Sequence, residues 1–303
     1  MYKFERMLVC LDLSNMDDLL IMYADYISKL IDVEKVTFLH VMEDSNFPEE
    51  LSKEFPELAE PLDDIIKEEL EEKVAKNYSK NGVESEIKLV SGNTTEQILG
   101  YAREFKVDLT LVGKKSGLKG TGVVLGKLAK FIHSSILFLP ESARHTFEKV
   151  LVPVDFSSES QIALQEAINI SDKAGAEVEI QHVYELPAQY FPYNSPADVL
   201  KNKMKKHLDV KYQKFMKGVD THGKGINYFF SLNEDKTMTE VIYNRATSNQ
   251  CDLIVLGSKT KTAASALFKG STAEKLAKAN YSIPLMVIKD KNKTMGLFEA
   301  LFK

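Results

Sequence analysis

At 303 residues the chain is about twice a typical domain length, so its organisation is expected to be two-domain. With 44% hydrophobic and 27% charged residues it has ample material for a core, and a formal charge of −5 argues against a general nucleic-acid binder. No run approaches the roughly 18 apolar residues of a membrane span, and the first residues, MYKFERMLVCLDL, lack the basic stretch and long apolar core of a signal peptide. A cytoplasmic location is therefore expected. Cys10 and Cys251 sit in apolar strand-like runs, one in each half, as small hydrophobes; neither a disulfide nor a metal site is expected.

Met7–Leu13 (MLVCLDL) is a short apolar run that reads as a first strand, and Lys149–Phe156 (KVLVPVDF) repeats it, Asp12 and Asp155 lying 143 positions apart. Amphipathic helices follow at 17–31 and 160–174, the second with Ile162, Ala163, Ala167, Ile170 and Ala174 at helical spacing. Second strands at 36–41 (VTFLHV) and 178–183 (VEIQHV) both end in His-Val. A Glu/Lys-rich helix is expected over 58–80, and its more basic counterpart over 196–220; their charge runs read as solvated faces. The proline- and aromatic-bearing stretches 46–61 and 186–196 read as surface loops.

Third strands are expected at 84–90 and 225–232, and third helices at 94–105 and 237–249, opening with the capping wordings TTEQI and TMTEV. Fourth strands (108–112, 252–256), fourth helices (124–133, 271–279) and last strands (136–139, 284–288) complete each half. The pattern β-α-β-α-β-α-β-α-β in each half implies two tandem doubly wound α/β domains, each a five-stranded parallel sheet with about four helices. Ligands in such folds sit beyond the carboxyl ends of the strands. The expected divisions are residues 1–145, 146–290 and an amphipathic tail, 291–303, that docks on its own domain or on a second subunit.

The stretch 251–276 reads as strand, loop and helix, with Gly257, Ser258, Lys259, Thr260, Gly270 and Ser271 placing small residues and hydroxyls around the loop. From spacing alone this is equally an anion site or an ordinary connection capped by Ser271 or Thr272. Its wording resembles the ATP-binding signature of the universal stress protein family: Gly, two residues, Gly, nine residues, Gly, then Ser or Thr. Gly257, Gly270 and Ser271 match, and Thr260 stands where the second glycine would be. A β-carbon there restricts positive φ and close approach to a phosphate. KVLVPVDFS, the IQHV strand end, DLIVLGS and GSTAEKL extend the resemblance, which covers the chain from Phe4 to Lys289 in two copies.

The resemblance implies an adenine nucleotide α-hydrolase-like, Rossmann-like fold and a cytosolic stress-response module that binds ATP, magnesium accompanying it, in the second half. Asp155 would face the adenine, Val183 would offer backbone groups to the base, and Gly257, Lys259, Gly270, Ser271 and Thr272 would hold phosphates and ribose, Thr260 being the weakened position. The residues themselves allow Asp155 to be merely a cap on the following helix.

In the first half Asp12 and Val41 keep their places. The loop GKKSGLKGTGVVLGK has Ser116 for a glycine and Lys127 for the hydroxyl after Gly126, and Lys114, Lys115 and Lys119 make it basic. This copy reads as a structural partner without nucleotide. The alternative is that both loops are degenerate and the chain is an interaction protein. No catalytic set is evident; His40 and His182 are the only candidate bases near the strand ends, and weak ATP hydrolysis is the most that the site would support. Tandem copies in this family imply a pseudo-dimer of the halves through their last strands, with a homodimer as a further possibility. Neither nucleic acid nor membrane is an expected partner.

Overall fold

The computed structural model describes residues 3–42, 62–79, 82–115, 121–186, 197–234, 236–258, 271–279 and 282–290. The chain divides into two compact units, Met1–Thr146 and Phe147–Lys303. The expected tail, most of both expected surface loops, and Ser116, Lys119, Lys259, Thr260 and Gly270 lie outside the described residues.

In the first unit β1 (Arg6–Leu11), α1 (Met16–Leu30), β2 (Lys35–Met42), α2 (Leu62–Asn77), β3 (Glu84–Ser91), α3 (Thr94–Glu104), β4 (Leu109–Lys114), α4 (Thr121–Phe131) and β5 (Ser135–Pro140) follow in order. The strands run β3-β2-β1-β4-β5, and every described pairing is parallel, as in Met7 against both Val36 and Leu109. The second unit repeats this with β6 (Lys149–Pro153), α5 (Ser158–Ala174), β7 (Glu177–Tyr184), α6 (Ala197–Met216), β8 (Asn227–Leu232), α7 (Met238–Ser248), β9 (Leu253–Ser258), α8 (Thr272–Lys278) and β10 (Leu285–Lys289). Its order is β8-β7-β6-β9-β10, again parallel. In each unit the chain steps outward from the central strand in one direction, then returns to build the other side. Right-handed crossovers therefore put the first two helices on one face and the last two on the other.

The central strands are covered on both faces, and their sequences are continuous apolar runs rather than alternating ones. Leu8, Val9, Leu109 and Leu111 are fully buried in the first unit, and Val150, Leu151 and Val152 in the second. Helix starts follow capping chemistry. Asn93 accepts from the Glu96 amide, Ser157 from the Ser160 amide, and Thr237 and Glu240 form a reciprocal capping box. Gly175 ends α5 in the left-handed conformation at φ 70°.

Several boundaries differ from the sequence expectation for local reasons. β1 stops at Leu11 and β6 at Pro153, because Asp12 and Asp155 already belong to the turns that follow. α5 begins at Ser158, two residues before the expected start; its first turn, SES, is polar, and the apolar period starts only at Ile162. α6 ends at Met216 rather than near 220, where Gln161 and Gln165 of α5 take the carbonyls of Phe215 and Asp220 and lead the chain into a turn.

Candidate functional site

The strand order reverses between β6 and β9, so a crevice opens beyond their carboxyl ends. Asp155 follows β6 by two residues, and Gly257 and Ser258 close β9; from the pairing Leu151–Ile254 the register brings Val154 level with Gly257. Val183, on the other side of β6, is paired in register with Ser231. Ser271 and Thr272 begin α8, which packs on β9 and β10. The expected residues Asp155, Val183, Gly257, Ser271 and Thr272 thus belong to elements that meet at this end of the unit.

The turn after β6 is built by Asp155, whose Oδ1 accepts from the Ser157 amide (3.1 Å) and from the Ser157 hydroxyl. It forces Phe156 to φ 62°, a conformation costing a non-glycine residue about 1–2 kcal/mol. The first unit repeats it: Ser14 donates twice to Asp12 Oδ1, and Leu13 also has φ 62°. The carboxylate therefore has a turn-forming role in both copies, which differs from the expected alternative of a cap on the following helix. Ser157, not Asp155, is the N-cap of α5.

His182 stacks on the Phe156 ring at 4.3 Å, and its Nδ1 lies 2.8 Å from the Val154 carbonyl. A carbonyl only accepts, so Nδ1 carries the proton. Burial is the main influence on the imidazole and lowers its pKa below 6.5. His40 makes the same bond to the Leu11 carbonyl at 3.0 Å. The same bond is kept in both copies, including the one with the altered loop, and ties each strand end to the strand beside it.

Gly257 has a packing reason of its own. A Cβ there would lie 2.3 Å from the Glu159 carbonyl oxygen and 2.8 Å from the Ser160 nitrogen, inside the first turn of α5. At Gly113, the equivalent residue, a Cβ would meet mainly the Met16 side chain at 2.7 Å. Ser271 spends its oxygen accepting from the Glu274 amide (3.2 Å), which leaves its hydroxyl hydrogen to donate outward, and Thr272 Oγ1 faces Met238 Sδ at 3.7 Å.

The two loops differ in sequence, Ser116 and Lys127 of the first standing against Thr260 and Ser271 of the second; Lys259, level with Lys115, lies outside the described residues. In the first unit Lys115, just after β4, forms an ion pair with Asp12. Burial would raise the Asp12 carboxyl, but Lys115 and Ser14 overcome it and hold it below 3.8.

Sequence reasoning missed two further features. Lys289 lies opposite Ser258 in the β10–β9 register and is 5% exposed, and burial brings its pKa down to about 7. A cavity of ≈520 Å³ opens beside the Asp155 turn against α6, with Lys211, Lys214 and Phe215 on its wall. The expected solvated face is exposed, Lys211 and Lys214 included; the cavity itself exists only because α6 packs beside the Asp155 turn, which no local spacing reveals. Among the described residues no cluster of His, Cys, Asp and Glu could hold a metal. Cys10 and Cys251 are both free, burial pushing their thiols up to about 12 and about 11.

Comparison with known proteins matches residues 3–135 and 146–289 to the model of the universal stress protein family. A universal stress protein of Methanocaldococcus jannaschii, MJ0531, is 27% identical over 171 residues, 56% of this chain and 96% of that protein. A universal stress protein from Archaeoglobus fulgidus superposes with TM-score 0.60 at 17% identity, over 96% of this chain and 98% of that one. PA1789 from Pseudomonas aeruginosa, a protein of unknown function, gives TM-score 0.66 at 14% identity, with 98% and 96% covered.

Proposed function

Since this chain belongs to the universal stress protein family, its two copies spanning residues 3–135 and 146–289, we propose that its second unit binds an adenine nucleotide, ATP foremost, and serves as a nucleotide-responsive module in the stress response. The observation that carries this reading is topological. The order reverses between β6 and β9, and Asp155 and Gly257 follow those neighbouring strands. The donor set suits the ligand: the Asp155 carboxylate accepts from an exocyclic amine, the strand end at Val183 offers peptide groups, and Ser271 and Thr272 supply hydroxyls, with Lys259, Thr260 and Gly270 completing the loop. Bound magnesium-ATP would add its phosphate charge, which these residues neutralise and orient. Family members are as a rule binding proteins rather than enzymes, and this reading assigns the second unit no catalytic role.

Only one site per chain is part of this proposal, because the first loop has Ser116 where a glycine is expected and Lys127 in place of the hydroxyl residue after Gly126. Cytoplasmic residence and a homodimer belong to the same reading; no helix among the described residues is long and apolar enough to cross a membrane. A second reading is an interaction protein without nucleotide, favoured by the packing role of Gly257, which accounts for that glycine without a phosphate.

A thermal-shift series with ATP, ADP and AMP plus magnesium separates the two. Ligand at a hundred times its Kd adds about 2.7 kcal/mol, and Asp155→Ala should remove most of that gain. No shift at millimolar nucleotide would leave the interaction reading standing.

A further inference from the structure

The duplication allows the cavity beside α6 to be read against its counterpart. In the first unit α2 buries Leu70 and Val74 and holds Lys73 and Lys76 against the start of α1. Lys73 pairs with Asp17 at 3.1 Å, a carboxylate with no solvent exposure, and Lys76 lies 3.7 Å from Asp18. Both cations thus have a partner supplied by the chain.

In the second unit α6 buries Leu208 and Tyr212 at the matching positions, so Lys211 and Lys214 stand where Lys73 and Lys76 stand. A cross-helix bond fixes the same alignment: Asn77 donates to Asp18, and the Phe215 carbonyl accepts from Gln161. The turns match through Leu13 and Phe156, so Asp17 and Asp18 correspond to Ser160 and Gln161. The two lysines are retained and both carboxylates are gone. Neither Lys211 nor Lys214 has an ion-pair partner among the described residues, and both line the ≈520 Å³ cavity together with Gln161, Ser158 and Phe215.

We infer that the second unit takes an external oxyanion, phosphate or a phosphate ester, where the first unit uses its own Asp17 and Asp18. The ammonium groups of Lys211 and Lys214 supply the charge, and Phe215 an apolar wall for the body of an ester; the Ser158 hydroxyl is already given to Glu159 at 3.0 Å. Asp155 also lines the cavity, its Oδ1 accepting from the Ser157 amide, and the two ammonium groups outweigh its single negative charge. The lysines lie on α6, apart from the β9–α8 loop, but the cavity shares the Asp155 turn with the proposed nucleotide site, so the lysine variants are what separate the two.

The test uses the full chain and inorganic phosphate, read through the NMR titration of the His182 imidazole, on which Lys211 already acts to favour the neutral form. Phosphate bound at the lysines should raise the His182 pKa by roughly 0.5 in a saturable, millimolar-range titration. The Ser160→Asp/Gln161→Asp variant, which restores the partners seen in the first unit, should abolish that response. Lys211→Met/Lys214→Met should do the same and serves if the first variant does not fold. A wild-type His182 pKa indifferent to phosphate overturns the inference, and so does an equal response in the lysine variant.

Discussion

Gly257→Ala tests how closely α5 and β9 are fitted. The added methyl would meet the Glu159 carbonyl oxygen at 2.3 Å, the Glu159 carbonyl carbon at 2.5 Å and the Ser160 nitrogen at 2.8 Å, all main-chain atoms that no rotamer change can move aside. Relief requires α5 to retreat by roughly 1 Å, in an interior packed as densely as a crystal. That helix buries Ala163, Leu164 and Ala167 and packs on β6, β7, β9 and β10, so the whole layer must give. Overpacking typically costs about 1–3 kcal/mol, and with backbone on both sides we expect about 3 kcal/mol, a fall in Tm of about 6–12 °C at this domain size. Gly113→Ala is the internal control. Its closest atom is Met16 Cγ, the middle of a flexible side chain, and the expected cost is below about 1 kcal/mol. Urea unfolding of both variants, followed by far-UV circular dichroism, gives the comparison. Equal stabilities for the two, or a Gly257→Ala change under about 0.5 kcal/mol, would refute the packing argument.

Other perturbations follow from the charged groups. Glu179 is 3% exposed, bonds to Arg245 Nε (2.5 Å) and Asn249 Nδ2 (2.6 and 2.7 Å), and has Lys149 at 3.7 Å; Arg245→Ala removes its nearest cation but leaves the others, so a loss of about 2 kcal/mol in urea unfolding is expected, and under about 0.5 would contradict it. Asp12 has a depressed folded pKa, so its contribution is present above its ordinary value of 3.8 and is lost as pH falls through the depressed one. Lys115→Met should move the Asp12 carboxyl ¹³C titration upward and remove that acid-side dependence; an unmoved titration would show that the ion pair is not the cause. Lys289 runs the other way. With its folded pKa near 7 and an unfolded value of 10.5, the unfolded chain binds more protons between them, so stability rises with pH across that window, and Lys289→Met should flatten the rise in pH-dependent urea unfolding.

The fold was legible because strand and helix patterning repeats: the 143-residue offset between Asp12 and Asp155 recurs in Leu13 and Phe156, which share φ 62°. The cap at Thr237 was equally readable, since Thr and Glu three residues apart are sufficient to close the box. The site was less so. Whether Asp155 builds a turn or faces a ligand depends on the Ser157 hydroxyl angle, and no spacing encodes that. Gly257 looked like a phosphate glycine because the α5 turn that excludes its Cβ comes from residues almost a hundred positions earlier. Lys211 and Lys214 are exposed, as the solvated-face reading expects, but that the positions matching Asp17 and Asp18 lie beside them emerges only after α5 and α6 pack.

The central claim is that one of two copies holds the nucleotide. Isothermal titration of the full chain with magnesium-ATP measures this directly, with Asp12→Ala and Asp155→Ala alongside. The account predicts one ATP per chain, unaffected by Asp12→Ala and lost with Asp155→Ala; two ATP per chain, or binding that disappears with Asp12→Ala and survives Asp155→Ala, would contradict it.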